Sequence, residues 1–249
     1  MPTSQNNSFA QVDVSVDCVV FGYNDDGLKV LLIDQKANQN PNHPIPVLYK
    51  ALPGDLILKQ ESFEDAASRV LYELTRLKGV FLQQFHAFGN PNRVRELKDQ
   101  DWLRSFRTHP NRRVITVAYY GLVSLHDHTP EPASFAGQTN WVDLGDVPEL
   151  AFDHNDIVDE AVKTLRSHLE SQHISFELLP KKFTLSQLQG LYESVLDKKL
   201  DKRNFRKNVK KMSHVVALDE KQTGVLHKPA QLFSYDPDGL DSDLNDMQK

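Results

Sequence analysis

Residues 54–77 read GDLILKQESFEDAASRVLYELTRL, and this stretch decides the fold. From Ser62 onward, apolar residues recur at Ala66, Ala67, Val70, Leu71 and Leu74, the spacing that lays one buried stripe along an α-helix. Ser62 is a good N-cap, with Asp65 three residues on. Burial of a helix face accounts for that stripe. It does not account for Leu52-Pro53-Gly54 ahead of the helix, nor for Glu61, Arg69 and Glu73 at their spacing.

Those residues resemble the Nudix box of metal-dependent phosphohydrolases: Gly, five residues, Glu, seven residues, then Arg-Glu-aliphatic-any-Glu-Glu-any-Gly-aliphatic. Glu61, Arg69, Leu71, Glu73 and Leu77 match, whereas Asp55 and Arg76 stand where the glycines belong and Val70 and Leu74 replace two of the clustered Glu. Mg²⁺ needs hard oxygen ligands, usually a few carboxylates plus substrate phosphates. Positions 70, 73 and 74 lie within about one helical turn, so three Glu there converge on one ion. Only Glu73 remains, which removes both the Lewis acid and the activated water of metal-assisted phosphoryl chemistry. The resemblance therefore implies a pocket kept without its catalysis, with no catalytic residue, no metal ligand and no cofactor.

Outward from the box, Val12–Tyr23 and Leu28–Ile33 flank Asn24-Asp25-Asp26-Gly27 and predict a hairpin. Residues 38–46 form a polar, proline-rich loop. Strands are expected over Val80–Phe88, Val114–Val123 and Trp141–Leu144, and a helix over Asp156–Ser171. The fold class is thus α/β: a Nudix-like α/β/α sandwich with a mixed sheet over residues 1–170. The polar Met1–Gln11 has no basic segment followed by an apolar one, as a signal peptide would, and no apolar run reaches 18 residues. The lone Cys18 excludes an internal disulfide. A cytoplasmic protein is expected.

The formal net charge of −5 argues at first against nucleic acid, but its distribution reverses that. Between Lys181 and Lys228 twelve basic residues face five acidic ones, a local +7 that leaves −12 elsewhere. Such asymmetry points to a polyanion-binding module attached to something else. Thr184 or Ser186 can cap a helix with the stripe Leu185, Leu188, Leu191, Tyr192 and Val195. Asp201 can cap a second helix, through residue 212, with Phe205, Val209 and Met212 inward and Lys202, Arg203, Arg206, Lys207, Lys210 and Lys211 around them. Strands at Val215–Leu218 and Ala230–Tyr235 flank a polar turn. Helix, helix and hairpin is the order of a winged helix-turn-helix over residues 171–236, and the basic helix suits a major groove. Residues 237–249 read as an acidic, disordered tail.

The string LLPKKFTLSQLQGLYE, then LDKRNFRK and KPAQLF, together with Leu150-Ala151-Phe152-Asp153-His154, resembles the Nudix-related transcriptional regulators, which include the NrtR regulators of NAD metabolism and the AraR regulators of arabinose use. That resemblance implies a homodimer, double-stranded DNA with a roughly palindromic operator, and a small effector in the Nudix-like pocket. DNA contacts are expected from Lys182, Thr184, Lys202, Arg203, Asn204, Arg206, Lys207, Lys210 and Lys228, and effector contacts from Arg69, Glu73, Phe88, Arg113 and Asp153. Arg69 can instead pair with Glu61 or Glu73 and pin the loop to the helix. An ADP-ribose-like effector calls for basic partners and a pentose for carboxylates and amides; the loss of metal ligands favours a sugar. The insertion from Arg93 to Pro110 departs from the family pattern at the expected pocket rim. The rival expectation is a Nudix hydrolase of a nucleoside diphosphate derivative such as ADP-ribose, and a third is a nucleotide-binding protein whose basic segment meets RNA.

Overall fold

Alternation along one central strand builds the first domain. Strand β1 (Val12–Asn24) carries Val16, Cys18 and Val20 on one face and Val19, Phe21 and Tyr23 on the other. Because both faces are apolar, both must be covered. Helix α1 (Phe63–Thr75) covers the first with Ala66, Ala67, Val70 and Leu71. Helix α2 (His154–Glu170) covers the second with Ile157, Val158, Ala161, Val162, Leu165 and Leu169. The computed structural model describes residues 10–36, 48–94, 103–104, 107–126, 138–170, 176–226, 228–237 and 239. The loop at 38–46, most of the insertion and nearly all of the N-terminal and acidic tails lie outside the described residues.

Strands β2 (Gly27–Lys36), β3 (Leu48–Ala51), β4 (Gly54–Leu56), β5 (Leu82–Phe88), β6 (Arg113–Ser124) and β7 (Gln138–Asp143) complete a mixed sheet. Its order is β3-β2-β1-β6-β5, with β4 on β1 and β7 on β2. The β1–β6 pair is parallel and the others are antiparallel. The hairpin expected at Asn24–Gly27 is present, with Gly27 at φ +134°. β5 begins at Leu82, two residues later than expected, and β7 stops at Asp143, where residues 144–146 turn into a short 3₁₀ helix. Such differences fall at element ends, where fraying and caps decide.

The C-terminal part continues from the same core. Helices α3 (Leu185–Leu196) and α4 (Lys202–Val209) and the hairpin of β8 (Val215–Lys221) and β9 (Gln231–Tyr235) follow in winged-helix order. Leu188, Leu191, Tyr192, Val195, Phe205 and Val209 join the cluster beneath α2. At this seam the Tyr23 hydroxyl donates to the Gln187 carbonyl at 3.3 Å and Arg166 Nε to the Val195 carbonyl at 2.8 Å. Gly190 lets the two halves meet, since a Cβ there would stand 2.6 Å from the Tyr23 hydroxyl oxygen. The basic helix is shorter than its periodicity predicts. It ends at Val209, so Lys210 and Lys211 belong to the turn beyond it while Met212 still packs on the core.

Candidate functional site

The box residues form a closed ionic knot. Arg69 donates from Nε to Glu61 Oε1 at 2.6 Å, from Nη2 to Glu61 Oε2 and to the Leu56 carbonyl at 3.0 Å each, and from Nη1 to Glu73 Oε2 at 3.2 Å. Glu61 also accepts the Leu58 amide at 2.9 Å. The Arg69 bond and that amide hold the Glu61 carboxyl below its ordinary pKa. Arg69 thus ties the loop after β4 to α1, and its guanidinium is engaged by protein groups on every nitrogen. A metal does not fit here. Val70 is 1% exposed and points into the core, Leu74 packs against that core, and Glu73 is exposed and paired. Among the described residues no three His, Cys, Asp or Glu side chains converge as metal ligands.

A second charged cluster lies under the start of α2. Asp153 takes Arg93 through two bonds, Nε to Oδ2 at 2.8 Å and Nη2 to Oδ1 at 2.7 Å. Arg93 Nη2 also stands 3.6 Å from Asp17 Oδ2. Asp17, buried within β1, accepts the Thr116 hydroxyl at 2.6 Å, and Thr116 in turn accepts that of Ser15 at 2.8 Å. His154 is buried beside them, its Nδ1 accepting the Leu52 amide at 3.0 Å and its Nε2 lying 3.6 Å from Asp17 Oδ1. Burial holds the imidazole pKa below 6.5 against the pull of Asp17 and Asp153. Burial also works against the Arg93 cation, but its bond to Asp153 and the charges of both carboxylates raise its pKa on balance. Gly54 is required here by close approach, because a Cβ would fall 1.8 Å from Asp17 Oδ1.

The five expected effector residues therefore fall in three places. Arg69 and Glu73 sit together in the knot, and Asp153 in the buried cluster. Phe88 closes β5 beside Gly89, whose carbonyl accepts Arg113 Nη2 at 2.9 Å. Sequence reasoning does not find Asp17 and Thr116, and it meets Arg93 only as the start of the insertion and His154 only within the family string. An acid at position 17 inside an otherwise apolar strand is the signal that could have found them, because a buried carboxylate requires partners.

In the C-terminal part, the Thr184 hydroxyl accepts the Gln187 amide at 3.2 Å and Gln187 returns a side-chain acceptor to the Thr184 amide at 2.9 Å, closing a capping box. Asp201 caps α4 by accepting the Asn204 amide at 2.8 Å. Phe205 and Val209 face inward, while Lys202, Arg203, Asn204, Arg206, Lys207 and Lys210 line one open, solvent-facing surface. Two of the expected DNA contacts are already engaged within the protein. Thr184 is buried and its oxygen serves the helix start, so it is a cap and not a surface contact. Lys182 is exposed but lies against Glu220 of β8 at 2.7 Å. Lys228 is exposed in the segment leading to β9.

The fold is a Nudix-like domain joined to a winged helix, and the chain is similar in both parts to the NrtR-like, Nudix-related regulators. Residues 175–235 match the family model described as the NrtR DNA-binding winged helix domain. The chain is 27% identical over 235 residues, 93% of its length and 85% of the relative's, to the ADPR responsive transcriptional repressor NtrR of Acinetobacter baylyi. It also matches the crystal structure of Shewanella oneidensis NrtR (28% identity, TM-score 0.66, 91% of this chain and 95% of that one). The same protein complexed with a 27mer DNA matches at 26% identity and TM-score 0.65, over 92% and 95% of the two chains. A MutT/nudix family protein of Enterococcus faecalis, at 22% identity and TM-score 0.66 over 92% of this chain and 88% of that one, shares the fold.

Proposed function

We propose that this chain is a transcriptional repressor whose Nudix-like domain senses ADP-ribose without hydrolysing it and whose winged helix reads a DNA operator. The observation that carries the reading is the outer face of α4: five side chains from Lys202 to Lys207, four of them cationic, all exposed on a helix whose other face is anchored by Phe205 and Val209. Lys and Arg in that arrangement supply phosphate attraction, while Arg203 and Asn204 near the helix start can reach base edges. The Acinetobacter relative's name supports ADP-ribose over a free pentose as the effector. The buried Val70 supports a domain that leaves its ligand whole.

In this reading residues 1–170 sense, residues 171–236 bind DNA and residues 237–249 form an acidic tail. The protein acts in the cytoplasm as a homodimer on a roughly palindromic site. ADP-ribose favours one arrangement of the two halves, and the seam at Tyr23, Gln187 and Gly190 transmits the preference to α4. Two measurements test it. Fluorescence anisotropy with an operator duplex is expected to show strongly salt-dependent binding that ADP-ribose shifts by a factor of about 5–150, the usual range of allosteric coupling. Incubation with ADP-ribose and Mg²⁺ is expected to leave the ligand intact. Turnover at ordinary enzymatic rates refutes the sensor reading, and duplex binding without salt dependence refutes the DNA-binding one.

A further inference from the structure

Arg107, among the described residues of the insertion, brings a second arginine into the field of the buried cluster. Leu103 and Val94 pack with Val114 and the half-buried Phe152 into a small separate core beside the start of β6. One helical turn beyond Leu103, the Arg107 amide donates to the Leu103 carbonyl at 2.8 Å, so this small core fixes where Arg107 begins. Its guanidinium lies in the field of Asp17, Asp55 and Asp13, with the Arg93 cation opposing. Of these three, Asp55 is exposed and accepts the Leu56 amide at 2.7 Å, and the other two already have charged partners. Asp17 holds Thr116 and Arg93, and Asp13 holds Arg112 at 3.0 Å. Arg107 forms no ion pair among the described residues, and its Nη1 is buried with no acceptor.

A guanidinium stays charged inside a protein, and a buried donor without an acceptor is destabilising. Such a group calls for an explanation, and an acceptor from outside the chain is one that fits a guanidinium. The planar fork of five donors matches phosphate oxygens better than any other side chain does. The neighbouring box presents Val70 and Leu74 where carboxylates would gather a cation, so a phosphoryl ligand here has no metal to neutralise it.

We propose that Arg107 is the phosphate-binding residue of the sensor: its free Nη1 takes a phosphoryl oxygen of the effector and supplies, as a fixed charge, the neutralisation that the box no longer gathers from a metal. This rests on the reading that the domain binds an ADP-ribose-like effector. Arg93, paired with Asp153 and beside Asp17, positions the wall of the site and does not itself bind ligand.

Full-length wild-type protein, Arg107→Gln and Arg107→Lys are compared by calorimetric titration with ADP-ribose, in Mg²⁺ and in EDTA, and by thermal unfolding with and without ligand. Wild-type affinity is expected to be the same in Mg²⁺ and EDTA. Arg107→Gln is expected to bind at least tenfold more weakly and to lose most of the ligand-induced rise in Tm, with Arg107→Lys between the two. The ligand-free Tm of Arg107→Gln is expected to equal or exceed that of the wild type, since a half-buried cation with an unsatisfied Nη1 has been removed. A merely structural Arg107 gives the reverse, a lower ligand-free Tm with an unchanged ligand-induced rise, and that result overturns the assignment. Equal affinity of Arg107→Gln and wild type, or wild-type binding that requires Mg²⁺, overturns it as well. If wild type fails to bind ADP-ribose at all, the effector reading itself falls.

Discussion

Helices α1 and α4 are built alike and do opposite things with their charge. Each starts on a side-chain cap, Ser62 or Asp201, and each buries one apolar stripe. In α1 the charges have both signs and close on one another, Arg69 with Glu61 and Glu73. In α4 they have one sign, and the outer face carries no acid after the cap. Opposite charges eight and four residues apart make a structural clasp. A run of like charges on a rigid face is mildly destabilising by itself and suits a polyanion.

The largest expected effect concerns the clasp's inward neighbour. Val70→Glu restores a box carboxylate in name, but position 70 lies in the core with Cys18, Val20 and Val117. A lone carboxylate there is expected to destabilise by about 3 kcal/mol or more, read as a fall in the urea midpoint, and not to create Mg²⁺ affinity. A stable variant that binds Mg²⁺ would mean that α1 can turn this face toward the pocket, and the contrast between the helices would weaken.

The complementary change strips the other helix. Arg203→Ala with Arg206→Ala is expected to weaken operator binding by roughly ten- to a hundredfold at fixed salt, and to flatten the slope of log affinity against log salt by about 0.9 for each phosphate left without its arginine. Ligand-free Tm should hardly move, because both side chains are exposed. A large loss of stability instead would show that these arginines, like Arg69, serve the fold.

What the sequence discloses follows the same division. Periodicity locates both helices, their caps and the strands that pack on them, because burial repeats locally every 3.6 or 2 residues. It overstates the length of α4: Met212 keeps the spacing but packs from the turn beyond Val209. The pairing of Arg69 with Glu61 is legible as an alternative, because the box spacing alone brings those positions together. The cluster of Asp17, Arg93 and Asp153 is not, because it joins β1 to the start of α2 through the first residue of an insertion that carries no periodic signal. Thr184 is legible as a helix cap, and the capping box with Gln187 selects it over Ser186.

The seam between the halves offers a mid-sized test. Gly190→Ala sets a methyl 2.6 Å from the Tyr23 hydroxyl oxygen and is expected to lower stability by about 1–2 kcal/mol, as overpacking does. Tyr23→Phe removes the obstructing oxygen, so the double variant should recover part of the loss; strict additivity in a double-mutant cycle would deny the contact. Acidification probes the buried cluster at smaller amplitude. The folded His154 pKa lies below its unfolded value of 6.5, so below that pH the unfolded chain takes up the proton first and stability falls as pH drops. Glu193, held down to about 2 by the Leu200 amide, Gln189 and Lys199, adds stability present above 4.5 and lost as pH falls from there toward 2. His154→Gln should remove the upper of these two phases from a pH titration of Tm and leave the lower one.

The smallest effect expected lies at the end of α1, where the Nudix pattern has its last glycine. Arg76 occupies that position with φ +62° and ψ +6°, and its amide donates to the Tyr72 carbonyl at 2.9 Å, so the left-handed cap persists although the residue best suited to it has gone. A non-glycine residue in that region is strained by about 1 kcal/mol. Stacking of the Arg76 guanidinium on the Tyr72 ring, 5.3 Å from its centroid, offsets part of that. Arg76→Gly is therefore expected to stabilise the protein by only about 0.5 kcal/mol, and Tyr72→Ala in the Arg76→Gly background should matter less than in the wild type. α4 ends on Lys210 at φ −63°, an ordinary right-handed residue, so Lys210→Gly should destabilise instead. Opposite signs for the same substitution at the two helix ends would tie the glycine position of the box to backbone geometry alone, whereas equal signs would mean that Arg76 is held by a contact that geometry does not reveal.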